Sequence, residues 1–147
     1  MSHFLFVAGA LRERSSLESA QAQLPHELWG LRSSLIQNNL KTYLTEGSNG
    51  LVYVLKVGIC AGFRIASGVL PAAELSEFVR DELRAETAYG FVRVSGVQTW
   101  NSSMEESLAL LNKVLDVPDQ TELTRRLNLG MHRLTQEQYD AILMAMG

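Results

Sequence analysis

The chain has 147 residues, 46% hydrophobic and 20% charged, with a formal net charge of −3 and a single cysteine. That length and balance fit one globular domain over residues 1–147; the charge excludes a protein that coats nucleic acid by charge alone, and the lone Cys60 excludes an internal disulfide. No apolar run nears the ~20 residues needed to cross a bilayer, and the opening MSHFLFV has no basic or long apolar segment, so a cytoplasmic protein without a secretory signal is expected.

The segment from His3 to Ala8, aromatic and β-branched and ended by Gly9, reads as a first strand. Ser15 and Glu18 form a capping box, and the helix behind it would bury Leu17, Ala20 and Leu24 and stop before Pro25. ELWGLRSSLIQNN follows and reads as a loop, with a short helix starting near Asn38 or Asn39 that buries Leu40, Tyr43 and Leu44. Gly47-Ser-Asn-Gly50 is a turn signal, and the apolar run 51–57 predicts a central strand covered on both sides. After Gly58 the next strand alternates, with Ile59, Ala61, Phe63, Ile65 and Val69 facing one way and Cys60, Gly62, Arg64, Ala66 and Gly68 the other. Its three glycines predict a bend or a bulge, as in a sheet curling into a barrel.

Residues 71–89 are acidic and partly helical in pattern, and 91–97 read as a further strand. Ser103 and Glu106 form a second capping box, before a stripe of Met104, Leu108, Leu111 and Leu115. Thr135 and Gln138 form a third, with Leu134 and Tyr139 as a hydrophobic staple and Ile142, Leu143 and Met146 on the buried face. This order lacks the βαβα rhythm of a doubly wound sheet. It predicts an α+β fold: a small, curved, mixed sheet closing into a barrel, with helices packed outside.

No catalytic constellation is visible. His3, His26 and His132 are far apart and none has metal-ligand spacing. Cys60 lies in an apolar strand without a neighbouring histidine, as an inert thiol would. Phosphate loops, dinucleotide fingerprints and nucleophile elbows are absent, so no enzyme, metal or cofactor is expected. Trp29 stands out, one of two tryptophans in a chain with few aromatics. It is either a core plug packed on the first helix or the wall of a pocket for something flat.

In order along the chain, His3-Phe-Leu-Phe-Val-Ala-Gly9, Leu28-Trp29-Gly30, Gly47 with Leu51-Val-Tyr-Val54, the glycine-bearing run from Gly58 to Ser67, the strand near residues 89–97, and Met131 to Tyr139 resemble the EVE domain of the PUA-like superfamily, a relative of the YTH domain. The resemblance spans nearly the whole chain and rests on the ordered set. It implies a PUA-like barrel that reads a modified base, holding it flipped out between aromatic walls. Carried over residue by residue, Trp29 is one wall and the backbone of Gly30 and Leu31 meets the base edge. Val7, Ala8 and Gly9 line the opposite side, and Asn38 or Asn39 is a polar reader. The sequence departs from the pattern at Ala8-Gly9, where a polar residue is often found, and in the 71–89 loop, which has no tryptophan. Phe78, Tyr89 and Trp100 are candidate second walls.

Stacking one base contributes roughly 1–3 kcal/mol, comparable to the few kcal/mol that extruding a base costs. Phosphate contacts are therefore needed, and Arg32, Lys41 and Arg64 are the candidates. The implied partner is nucleic acid, DNA more than RNA, bearing a methylated or otherwise modified base, with a motor or nuclease subunit of a restriction system as a further partner and no membrane. The alternative is a small-molecule sensor or protein adaptor on the same barrel, in which Trp29 supports stability alone.

Overall fold

The computed structural model describes residues 2–9, 14–31, 40–83, 90–127 and 130–146, with the backbone alone at 40 and 41. In chain order the elements are β1 (His3–Ala8), α1 (Ser16–Gln23), β2 (Leu28–Leu31), β3 (Asn49–Val54), β4 (Gly58–Ile65), α2 (Glu77–Leu83), β5 (Gly90–Thr99), α3 (Met104–Val114), α4 (Gln120–Leu127), β6 (Met131–Leu134) and α5 (Gln136–Met146). Short 3₁₀ turns cover Leu24–His26, Leu40–Tyr43 and Ala72–Glu74.

The six strands form one sheet in the order β2-β5-β4-β3-β1-β6. Only β1 and β3 run parallel; every other pairing is antiparallel. This is the mixed, curved sheet expected from the sequence, a curled half-barrel whose end strands β2 and β6 do not pair with each other among the described residues. β3 lies at its centre and is buried from Gly50 to Val54. It ends three residues before the predicted 57, because Lys56 at φ 69° turns the chain back into β4.

Period-two alternation splits the strands between two cores. One face carries Phe4, Phe6, Ala8, Trp29, Val52, Phe63 and Val92 and is covered by α1 through Leu17 and Ala20. The reverse face carries Leu5, Val7, Leu51, Tyr53 and Ile59 and is covered by α3, α4 and α5 through Leu111, Leu123 and Ile142. A third cluster places α2 against Leu28 and Phe91, on the side of β2 and β5 away from Trp29 and Val92.

The glycine-bearing strand does bulge. Val52 pairs with Ala61 but the next residue, Tyr53, pairs with Ile59, so Cys60 is the extra residue. The bulge reverses the alternation: Ala61, Phe63 and Ile65 face α1, while Ile59 faces the three helices instead of following them as predicted. A second register shift lies between Gly62 and Arg64, opposite Gly96 at φ 60° on β5.

The local helix signals hold. Ser15 Oγ accepts from the Glu18 N–H at 3.2 Å and Glu18 Oε1 accepts from the Ser15 N–H at 3.0 Å, a complete capping box. Thr135 and Gln138 make the same exchange at 3.1 and 2.9 Å. At Ser103 only the forward bond to the Glu106 N–H forms, at 3.1 Å. Met104, expected in the buried stripe behind it, is 40% exposed. Tyr43, expected in the core with Leu44, is 42% exposed, and the Arg133 guanidinium lies 3.8 Å from its ring centroid. The helix start expected at Asn38 or Asn39 lies outside the described residues.

Candidate functional site

Trp29 is in a strand, not a loop. Leu28-Trp29-Gly30-Leu31 pairs antiparallel with β5, Trp29 opposite Val92. The pairing turns the indole toward α1, where its ring centroid lies 6.2 Å from both Phe6 and Phe63, and those two rings lie 5.7 Å apart. The trio needs Gly50 beneath it: a Cβ there would come within 2.5 Å of Phe63 and 2.8 Å of Phe6. Trp29 is 4% exposed, so its faces are covered in this state. Phe6 and Phe63, not singled out in the sequence, are its aromatic neighbours. The legible signal is the alternation that puts Phe63 between Ala61 and Ile65 on β4 and Phe6 between Phe4 and Ala8 on β1.

Ala8 and Leu31 lie in the same cluster as Trp29, and Gly9 is buried just beyond β1. Val7, expected beside them, faces the three helices, because one step along a strand reverses the side chain. The Gly30 N–H, expected to meet a base edge, donates to Gln23 Oε1 at 2.6 Å. It points out from β2, the end strand among the described residues, and the Gln23 carboxamide, itself donating to the Ser19 carbonyl at 3.1 Å, caps it.

Two of the candidate second walls, Phe78 and Trp100, do not lie around Trp29. Phe78 is 71% exposed on α2, which packs on the other side of β2. Trp100 also lies across the sheet: its ring sits over Gly62, where a Cβ would be 2.7 Å from Cη2, and it packs with the three-helix core. Arg64 is exposed and lies between Phe63 and Ile65, which face α1, so it too is on the three-helix side. The sheet therefore separates Trp100 and Arg64 from Trp29, which corrects the expectation that they serve the same pocket. Tyr89, Arg32, Asn38 and Asn39 lie outside the described residues, as does the side chain of Lys41.

Trp100 and Arg64 instead meet each other. They line a cleft of about 180 Å³ together with Asn49, Gln98, Tyr139 and Leu143. No group of three or more His, Cys, Asp or Glu residues able to hold a metal occurs among the described residues. No described helix is long and apolar enough to cross a membrane. Burial pushes the Cys60 thiol up, which disfavours the thiolate.

No family model and no curated protein matches the sequence. Solved structures match in shape. The YTH domain-containing protein Mmi1, in complex with RNA, superposes with a TM-score of 0.62 at 10% identity, over 98% of this chain and 81% of that one. Human THYN1, in complex with DNA containing 5-methylcytosine, does so at 0.60 and 20% identity, over 99% and 98%. The fold is YTH-like and PUA-like. A Pseudomonas putida protein shares it at a TM-score of 0.53 and 19% identity, over 97% of both chains. In this YTH-like sheet the Trp29, Phe6 and Phe63 trio lies under α1, and the Trp100 and Arg64 cleft lies on the reverse face.

Proposed function

We propose that the chain is a non-catalytic, EVE-type module that binds nucleic acid and reads a modified base at Trp29. The observation that carries this reading is the aromatic trio of Trp29, Phe6 and Phe63 set into a fold that THYN1 presents in complex with 5-methylcytosine DNA and Mmi1 in complex with RNA. A flipped base would stack on the indole, with Ala8, Gly9, Gly30 and Leu31 around it, Asn38 or Asn39 reading its edge, and Arg32 and Lys41 on the phosphates. Because Trp29 is 4% exposed, the base takes the place of whatever now covers the ring, and that displacement is part of the cost of binding. DNA is favoured over RNA, and a modification-dependent restriction system in the cytoplasm is the setting this reading implies.

Selectivity for a methyl group by burial alone amounts to about 0.8 kcal/mol, roughly fourfold. Stronger discrimination needs a close-fitting cage or an unpaired polar group for the wrong base. The test is titration of the full chain with matched oligonucleotides carrying 5-methyl, 5-hydroxymethyl, N6-methyl or no mark. One mark should bind at least fourfold tighter, and Trp29→Phe should lose most of that preference while remaining folded. Equal, weak, wholly salt-dependent affinity for all of them would refute the reading.

The burial of Trp29 favours a second reading, a protein adaptor or small-molecule sensor on the same sheet. There Trp29→Ala lowers stability, by about 3–5 kcal/mol for a buried tryptophan, and Trp29→Phe leaves nucleic-acid affinity unchanged.

A further inference from the structure

The cleft on the three-helix face is lined by Arg64, Gln98, Trp100 and Tyr139. It lies between the β4–β5 pair and α5, and Leu143 forms an apolar part of its wall. Two glycines shape it. Gly62 leaves room for the Trp100 ring to lie on the sheet, and Gly96, at φ 60° beside the register shift, lets β5 carry an extra residue before Gln98. Tyr139 is fixed from behind by the buried His3, whose ring stacks on it at 4.5 Å and 21°. His3 is itself held on both nitrogens, by Gln136 Oε1 at 2.8 Å and Asn49 Nδ2 at 3.2 Å. This network assigns the proton to Nε2.

Four side chains with polar groups line this space, those of Arg64, Gln98, Trp100 and Tyr139. Among the described residues none of the four has a hydrogen-bond or ion-pair partner. They are chiefly donors, with five N–H on the guanidinium, one on the indole, and O–H and NH₂ groups on the other two. A donor-rich, singly cationic cleft with two aromatic walls suits an oxyanion attached to a flat ring. A guanidinium matches two oxygens of a phosphate at once.

We propose that this cleft is an open site for the phosphate end of a nucleotide, with Arg64 on the phosphate, Gln98 and Tyr139 as further hydrogen-bonding groups, and Trp100 and Tyr139 as walls for the attached ring or sugar. The site is independent of the reading of Trp29, from which the sheet separates it. The phosphate comes either from a free mononucleotide or from a nucleic-acid strand.

The test is an NMR titration of the ¹⁵N-labelled full chain that follows the Trp100 indole N–H, the Gln98 carboxamide and the Arg64 guanidinium. The probes are adenosine monophosphate, inorganic phosphate, adenosine and a short unmodified single-stranded oligonucleotide. Saturable shifts with adenosine monophosphate, weaker ones with inorganic phosphate and none with adenosine are expected. Arg64→Gln, at an exposed position, should fold normally and weaken binding about tenfold or more. Trp29→Phe should leave these shifts unchanged. Saturation by the mononucleotide assigns a free ligand, and saturation by the oligonucleotide alone assigns a strand phosphate; either upholds the site. Adenosine binding as tightly as its monophosphate, wild-type affinity in Arg64→Gln, or no saturable shift with any probe overturns it.

Discussion

Gly50→Ala probes the seat of the aromatic trio. Gly50 is buried on β3 between the rings of Phe6 and Phe63, and its φ is not positive, so alanine meets no backbone strain there. A Cβ would sit 2.5 Å from Phe63 Cε1 and 2.8 Å from Phe6 Cε2. Carbons in contact sit about 3.5–4.0 Å apart, so the rings must yield by about 1 Å and about 0.7 Å. Neither has free space to move into: Phe63 is 5% and Phe6 1% exposed, and Trp29 packs against both. Overpacking of this kind costs about 1–3 kcal/mol, and the narrower unfolded ensemble of alanine offsets about 0.4–1 kcal/mol of it. A net loss of about 1–2 kcal/mol follows.

With a urea slope of about 2 kcal/mol/M, the midpoint should fall by about 0.5–1 M, read by circular dichroism and by tryptophan emission. Gly68→Ala is the control, because no atom lies within 4 Å of its added Cβ and its φ is not positive. It should leave the midpoint unchanged or raise it slightly. If Gly50→Ala behaves like Gly68→Ala, the three rings are not the close-packed unit described above.

Ser107→Ala should cost about 1–3 kcal/mol by chemical denaturation, because it leaves a buried donor unpaired. Ser107 Oγ accepts from the Ile59 N–H at 2.9 Å and bonds Ser102 Oγ at 2.8 Å, and Ser102 donates to the Ile59 carbonyl at 2.8 Å. His132 should make stability fall on acidification. Burial pushes its pKa below the ordinary 6.5, a hydrogen bond that the ring donates to the Arg126 backbone carbonyl opposes this, and among the described residues its buried Nε2 has no partner. The unfolded chain then binds more protons than the folded one, so the contribution is complete above about pH 6.5 and is lost as pH falls through the folded pKa. His132→Gln should flatten that slope in pH-dependent denaturation. Glu122 acts lower on the scale. Hydrogen bonds from Arg125, with help from Arg126, hold it at about 2 against an ordinary 4.5. Its contribution is present above the ordinary value and lost as pH falls toward 2, and Glu122→Gln should remove that part of the acid slope without altering the slope near pH 6.

Much of the architecture was legible because it is written in short-range chemistry. Ser15 with Glu18 and Thr135 with Gln138 satisfy helix-end donors within a few residues of themselves, so their meaning does not depend on the rest of the chain. The apolar run of β3 announced a strand covered on both faces, and the glycines of β4 announced a bulge. Helix α4 and strand β2 were not legible. The four residues of β2 are too few to show a period, and they become a strand only because β5 lies beside them.

By itself, then, the sequence determined the curved mixed sheet, the helix starts, and which residues are apolar enough to be buried. The tertiary structure alone decided which of them meet. One extra residue at Cys60 reverses a strand's faces, and a single step along β1 sends Ala8 and Val7 to opposite cores. The sheet is a barrier that no local pattern reveals. It places Trp29 with Phe6 and Phe63 on one side, and on the other it brings Trp100 to Arg64 and Tyr139 from distant parts of the chain. Side chains far apart in sequence share a site only through strand pairing and its register, which depend on contacts between segments rather than within them.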